Sequence, residues 1–339
     1  MARNTRAALI FVAEERAMHE SGEELSLENI AQASRTIDAV FRDSPQFDAE
    51  SLSARLGCRL VLKVETLNPI RSFKARGADY FTSQLRGSPH LVCATAGNFG
   101  QGMAFAARKR ALPITVFTSH AANPLKVQRM RGFGADVRMA GDDPDATQRA
   151  ARDFAARTGA LLVQDGREPA IAEGAGSIGV ELLRWPEPFD AMLIPLGDGA
   201  LLGGIARWVK AHSPATRMIG VCAAGSPAMH RSWHARRVVA CEPPATIADG
   251  IAIRTPFAES LANLTRLIDD VLLVEDDAMI AGMRLAMQEI GLLLEPSAAA
   301  GIAALLTQGE QFRGQRIATV LTGANLTPEQ IRDWLTPAS

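Results

Sequence analysis

The sequence predicts an α/β fold, in which a parallel-sheet large domain (residues 1–87 and 159–339) carries a smaller α/β domain (88–158). Short, nearly continuous apolar runs recur at Leu91–Ala94, 191–194, 218–221, 271–274 and 317–321, as expected of strands covered on both faces. Helix-length stretches separate them, and capping residues mark the changes. With 339 residues, 47% of them hydrophobic, the chain can bury a sizeable core.

Residues 1–20 mix Arg3, Arg6 and Arg16 with Glu14 and Glu15 and contain no long apolar run. Neither a signal peptide nor a transmembrane span is expected there, and the cytoplasm is the default location. Residues 26–42 have the period of an amphipathic helix, with Leu27, Ile30, Ala31, Ile37, Val40 and Phe41 on one face, and Ser44-Pro45 ends it. Residues 59–65 alternate as a strand, Leu60, Leu62 and Val64 against Val61 and Lys63. Helical composition over 75–86 then sets Lys74 where a turn enters a helix.

A strand at Leu91–Ala94, a helix over 98–110 and a strand over 113–118 follow. Asn123-Pro124 and Asp143-Pro144 each offer an N-cap with proline at the first helical position, which makes 88–158 a compact unit inserted in the larger sheet domain. Beyond it the strand series resumes at 161–163, with helices expected at Asp276–Ile290 and over 296–306.

Lys and Arg number 36 against 37 Asp and Glu, so no basic surplus points to nucleic acid; one Tyr and four Trp also leave few base-stacking platforms. Cys58, Cys93, Cys222 and Cys241 are far apart without a C-x-x-C pair, which argues against a disulfide framework or a zinc site. His230 and His234 share a helical spacing but lack a third ligand nearby, and a solvated helix face accounts for them.

Two stretches suggest chemistry. A lone lysine such as Lys74 is ordinarily solvated or ion-paired. To attack a carbonyl its amine must be partly desolvated or near other positive charge, which Arg71 and Arg76 would supply. The turn over 195–204 follows a strand and opens a helix, so its backbone N–H groups can face an anion; close strand–helix packing explains the same glycines. It is no nicotinamide fingerprint, because no G-x-G-x-x-G follows the first strand with an acid further on.

Ser72-Phe73-Lys74-Ala75-Arg76-Gly77-Ala78 resembles the lysine motif of the fold-type II pyridoxal-phosphate enzymes, whose fold is tryptophan synthase β-like. Within them the likeness is to the threonine/serine dehydratase and serine racemase family, and it runs in order from about Ile30 to Asn325. The resemblance implies pyridoxal 5'-phosphate as cofactor and Lys74 as the catalytic lysine that bonds its aldehyde. Phe73, Asn98 and Thr322 would be further cofactor contacts, and Gly197, Asp198, Gly199, Ala200 and Leu201 would cup the phosphate. Thr95-Ala96-Gly97-Asn98-Phe99 resembles the family's Ser-x-Gly-Asn-His loop and, with Ser72, is implied to bind the substrate. Thr322-Gly323-Ala324-Asn325 resembles the family's Ser-Gly-Gly-Asn, where a hydroxyl facing the pyridine nitrogen suits β-elimination. The segments 173–177, 246–252 and 295–299 resemble others that border the pocket, Glu295 lying near the cofactor ring or on the surface.

The departures carry their own expectations. A carboxylate at Asp198 opposes a phosphate, so the side chain turns outward or the loop binds less tightly. Ala96 stands where serine racemase has a serine, and alanine moves no proton, which favours one-base elimination over racemisation. Phe99 replaces a histidine, altering the usual pocket. Cys222 replaces a glutamate that ligates a divalent ion in some relatives, so no metal is expected.

The implied activity is that of an ammonia-lyase acting on a β-hydroxy or other β-substituted amino acid such as L-threonine or L-serine, releasing a 2-keto acid and ammonia. Phe99, Asp198 and Ala200 leave room for an unusual substrate, a 2,3-diamino acid or an aryl-serine. A homodimer is implied, with neither nucleic acid nor membrane as partner. A β-replacing synthase or an amino-acid racemase is the near alternative, and a non-catalytic sensor of an amino acid or the cofactor is an alternative of another class. The chain ends soon after the Thr322 motif, so a regulatory domain and isoleucine feedback are not expected.

Overall fold

Apolar and β-branched runs that must be covered on both faces become strands, and the computed structural model, which describes residues 24–142 and 144–336, has ten of them among those residues. They are β1 (Gln46–Asp48), β2 (Arg59–Val64), β3 (Leu91–Ala94), β4 (Ile114–Thr118), β5 (Asp136–Met139), β6 (Leu161–Leu162), β7 (Ala191–Pro195), β8 (Arg217–Ala223), β9 (Asp270–Val274) and β10 (Arg316–Leu321). Residues 1–20 and the expected cap Asp143 lie outside the described residues.

The strands form a six-stranded sheet in the order β1-β2-β10-β7-β8-β9 and a four-stranded sheet in the order β5-β4-β3-β6. Every pairing is parallel except β1 with β2. β10, last in the chain, sits between β2 and β7, with Ala318 opposite both Val61 and Met192. The carboxyl ends of β2, β7 and β10 therefore lie side by side where the strand order reverses, the usual place for a ligand cleft in such sheets. β6 pairs with Leu91 of β3, so Leu161–Leu162 belongs to the smaller sheet and not, as expected, to the larger. No helix among the described residues is long and apolar enough to cross a membrane.

Alternation along β2 holds. Leu60, Leu62 and Val64 join one apolar cluster with Val221 and Ile302, while Val61 joins another with Met192 and Leu202 on the opposite face. The helix expected over 26–42 is shorter: Ser26 caps Leu27–Thr36, and Asp38 starts a separate 3-10 turn, Ala39–Phe41. Likewise 296–306 divides into a 3-10 turn, Pro296–Ala299, and the helix Ala300–Gln308.

A buried ion cluster joins three elements. Arg76, fully buried in the helix Lys74–Ser83, donates to Glu65 at 2.8 and 2.9 Å and to Glu181 of the helix Pro169–Leu182 at 2.7 and 2.9 Å. Lys63 Nζ completes the arrangement, 2.5 Å from Glu181 and 2.6 Å from the Ser44 carbonyl. Burial alone would raise the Glu181 carboxyl, but Arg76 and Lys63 override it and hold it down at about 2. Arg76→Met should cost about 3–5 kcal/mol, because it strands buried carboxylates without their cation. Urea unfolding measures this, and a loss below about 1 kcal/mol would show that the cluster is solvated.

Candidate active site

Asn68 builds the turn that aims Lys74. Its Nδ2 donates to the carbonyls of Glu65 (2.8 Å) and Ser72 (3.1 Å), while its Oδ1 accepts from the amides of Ile70 (3.1 Å) and Ser72 (3.3 Å). Ser72 then pairs with Gly323, and the Phe73 amide donates to the Thr322 carbonyl at 3.1 Å. The turn is thus docked on the carboxyl end of β10. Lys74 is the first residue of its helix and Thr322 is buried beside it.

The Lys74 ammonium lies between two carboxylates, 2.5 Å from Asp165 Oδ2 and 3.3 Å from Asp198 Oδ2. Burial pulls its pKa down, but Asp165 and Asp198 more than offset this and leave it raised. Arg71 and Arg76, expected to press charge out of the amine, do not do so: Arg76 points into the buried ion cluster and Arg71 is exposed. Asp165 follows β6 in a loop before the helix Pro169–Leu182. Sequence reasoning missed it, since a single Asp after an apolar run resembles any helix-leading residue.

Asp198 does not turn outward. Its Oδ1 accepts from the Ala200 amide at 2.9 Å, at the start of the helix Ala200–His212, and Ser260 Oγ donates to its carbonyl. Gly199 has φ of +99°, which favours glycine, and a Cβ on Gly197 would come to 3.0 Å from Ile251 Cα. Leu201 points into the apolar core. The turn is therefore an anion cup occupied by the chain's own carboxylate. An amide that already holds an anion, beside a lysine amine, is the pair that a phosphate-bearing aldehyde requires, so the residues fit such a group.

The loop over 95–97 forms the facing wall. Thr95 Oγ1 accepts from the Gly97 amide at 3.1 Å, and Ala96 is exposed just before the helix Asn98–Lys109. Asn98 Nδ2 donates to Glu295 at 2.6 Å, while its Oδ1 accepts from Asn325 Nδ2 at 2.9 Å. Glu295 is buried in the site and not on the surface; burial pushes its carboxyl up, with Lys126 opposing. Phe99 is a correction, because its ring is buried in the apolar cluster with Cys93, Met103 and Val116 instead of lining a substrate pocket. Segment 173–177 also serves structure: Glu173 accepts from the Ser26 amide and Asn29 Nδ2, and Ser177 Oγ accepts from Arg76. His230 and His234 stack edge to face, and no metal-holding group of three or more His, Cys, Asp or Glu occurs among the described residues.

The family described as "Pyridoxal-phosphate dependent enzyme" matches residues 37–323. Over 282 residues the chain is 33% identical to the L-threonine ammonia-lyase of Geobacter sulfurreducens, spanning 82% of this chain and 70% of that protein. Over 308 residues it is 30% identical to the L-threo-3-hydroxyaspartate ammonia-lyase of a Pseudomonas species, spanning 90% of this chain and 97% of that protein. Its structure resembles that of the processed form of threonine deaminase isoform 2 from Solanum lycopersicum, with a TM-score of 0.85 and 28% identity, covering 91% of this chain and 88% of that one.

Asp198→Gly should bind inorganic phosphate at least about tenfold more tightly, because a competing anion leaves the Ala200 amide. Equilibrium dialysis measures this, and equal affinity would show no competition. A second expectation concerns pH. Burial, then the Asp198 charge, pushes the Asp165 carboxyl up to about 7, so the native state holds a proton that the unfolded chain has released above its ordinary value near about 4. Stability from this group is full below about pH 4 and is lost as pH rises towards about 7. Melting temperatures across that window should fall less steeply for Asp165→Asn.

Proposed function

The chain belongs to the family of pyridoxal-phosphate-dependent enzymes, and within that family we propose that it is an ammonia-lyase that eliminates the β-hydroxyl of an α-amino acid. One observation carries this reading: Asp198 joins the Lys74 amine and the Ala200 amide through its two oxygens, so a nucleophilic amine and an anion cup share one cleft. When bound, the cofactor draws electrons from the substrate α-carbon, which makes its proton acidic. Lys74, Asn98, Thr322 and the turn over 197–201 are the residues we assign to hold it, with Phe73 alongside.

The remaining work falls to the chain's own groups. Lys74 Nζ accepts the α-proton, the β-oxygen leaves as water after gaining a proton, and hydrolysis returns one water to give a 2-keto acid and ammonia. No net oxidation occurs. Asp165 Oδ2 at 2.5 Å from Nζ supports proton exchange with the lysine, since that carboxyl is pushed up to about 7. Backbone amides over 96–98 at a helix start support binding of the substrate α-carboxylate together with Ser72 and Thr95. Ala96 has no group that moves a proton, which supports elimination over racemisation. L-Threonine and L-serine are the nearest substrates in chemistry, as the ammonia-lyase relative suggests, and a cytoplasmic homodimer is part of the same proposal.

Holoenzyme mixed with L-threonine or L-serine should release keto acid and ammonia in equal amounts. Lys74→Ala should lower kcat/KM roughly 10⁴-fold or more. Formation of the opposite enantiomer, or of a β-substituted product without keto acid, would overturn the assignment.

A further inference from the structure

Lys126 is buried in the first turn of the helix Pro124–Gly132, which follows β4 of the smaller sheet. A cation there opposes the helix macrodipole, and burial adds a desolvation cost, so helix formation does not explain it. The carboxylates beside its ammonium both belong to segments of the larger sheet. Asp249 Oδ2, beyond β8, is 2.6 Å from Nζ, and Glu295 Oε2, beyond β9, is 4.0 Å away. Burial pulls the Lys126 pKa down, but Glu295 and Asp249 more than offset this and keep the ammonium charged.

Glu295 connects this cation to Asn98. Its Oε1 accepts from Asn98 Nδ2 at 2.6 Å and its Oε2 from the Asn325 amide at 3.2 Å. On the other side, Asn98 Oδ1 accepts from Asn325 Nδ2 at 2.9 Å and Gln101 Nε2 at 3.1 Å. The Asn98 amide therefore has one orientation, because reversing it would turn its oxygen to a carboxylate and its N–H groups to two donors. Of its two N–H groups, one is held by Glu295 and the other has no partner among the described residues. A Cβ on Gly323 would collide with Glu295 Oε1 and come to 3.0 Å from Asn98 Nδ2, so the contact needs glycine in the turn after β10. An ionised carboxylate grips such an amide more firmly than a neutral acid does. Asp249 raises the Glu295 carboxyl as burial does, which leaves Lys126 as the charge that keeps it ionised.

We propose that Lys126 is a positioning residue: through Glu295 it locks the Asn98 amide and leaves the free N–H of Asn98 available to the cofactor. This rests on the assignment of Asn98 as a cofactor-binding residue and extends it outward to Glu295 and Lys126. The relay crosses between the segments of the two sheets, so the same cation also ties together the two walls that hold the site.

A double-mutant cycle of Lys126→Met and Glu295→Gln, read by equilibrium dialysis of pyridoxal 5'-phosphate, tests the relay. Asp249 is half exposed and Glu295 can take up a proton, so Lys126→Met strands no buried charge. Each single variant should bind the cofactor at least about fivefold more weakly, and Lys126→Met should add no further loss in the Glu295→Gln background. Lys126→Arg keeps the charge and should retain most of the affinity. The visible absorbance band of the holoenzyme should move in Lys126→Met and Glu295→Gln and stay in place in Lys126→Arg, which a loss of stability alone would not produce. A third measurement needs no cofactor. Glu295 is raised in the native state, so its stabilising proton is lost as pH rises; without Lys126 it is raised further, and melting temperature should fall more steeply with pH. Glu295→Gln should remove that difference. Unchanged cofactor affinity in Lys126→Met, an undiminished loss in the Glu295→Gln background, or equal pH slopes would overturn the relay and leave the lyase reading intact. If no amino acid yields keto acid the lyase reading falls, and dialysis, absorbance and melting still decide the relay.

Discussion

The site's geometry depends on a guanidinium that never meets the substrate. Arg76 is two residues beyond Lys74 on the same helix, and its bonds to Glu65 and Glu181 tie that helix to the end of β2 and to the helix Pro169–Leu182. Buried ion pairs of this kind add little net stability, since desolvation consumes most of the Coulombic gain, but they are intolerant of misplacement. The lysine turn is therefore held from within by Arg76 and at its rim by Asn68 and the contact with Thr322 and Gly323. Lys74 extends from a rigid corner, as a group that must meet a reacting atom within a fraction of an ångström requires.

Charge is segregated along the cleft. Asp165 and Asp198 surround the lysine amine, while Lys126 pairs with Asp249 and lies 4.0 Å from Glu295, the carboxylate bonded to Asn98. The two carboxylates favour the protonated amine, and Asp198 also places an internal anion on the Ala200 amide.

Much of this is legible in the chain order. Strands β2, β3, β4, β7, β8, β9 and β10 follow apolar runs, because a strand covered on both faces must be apolar throughout, and the Asn123-Pro124 cap begins its helix where expected. Short β1 and β5, with three and four residues and mostly exposed side chains, leave no such trace. Lys74, the turn over 197–201, Asn98 and Thr322 are singled out by resemblance to family motifs, and the structure brings Lys74 against Asp198 and the Phe73 amide against Thr322. Phe99 misleads because its neighbours in sequence face the cleft while its ring turns the other way, into the core.

Hydrophobic period and capping residues are local properties of the chain, and they mark most of the long strands and helices; the lysine is singled out by resemblance to a family motif, because a lone lysine in a turn carries no such signal. The electrostatics of the site are not local. Asp165 is 91 residues from Lys74 and Asp198 is 124 away, so neither ion pair is visible in any window of sequence. Whether the amine is pressed by arginines or held by carboxylates depends on distances of a few ångströms across a cleft, and those are set by the packing of two sheets.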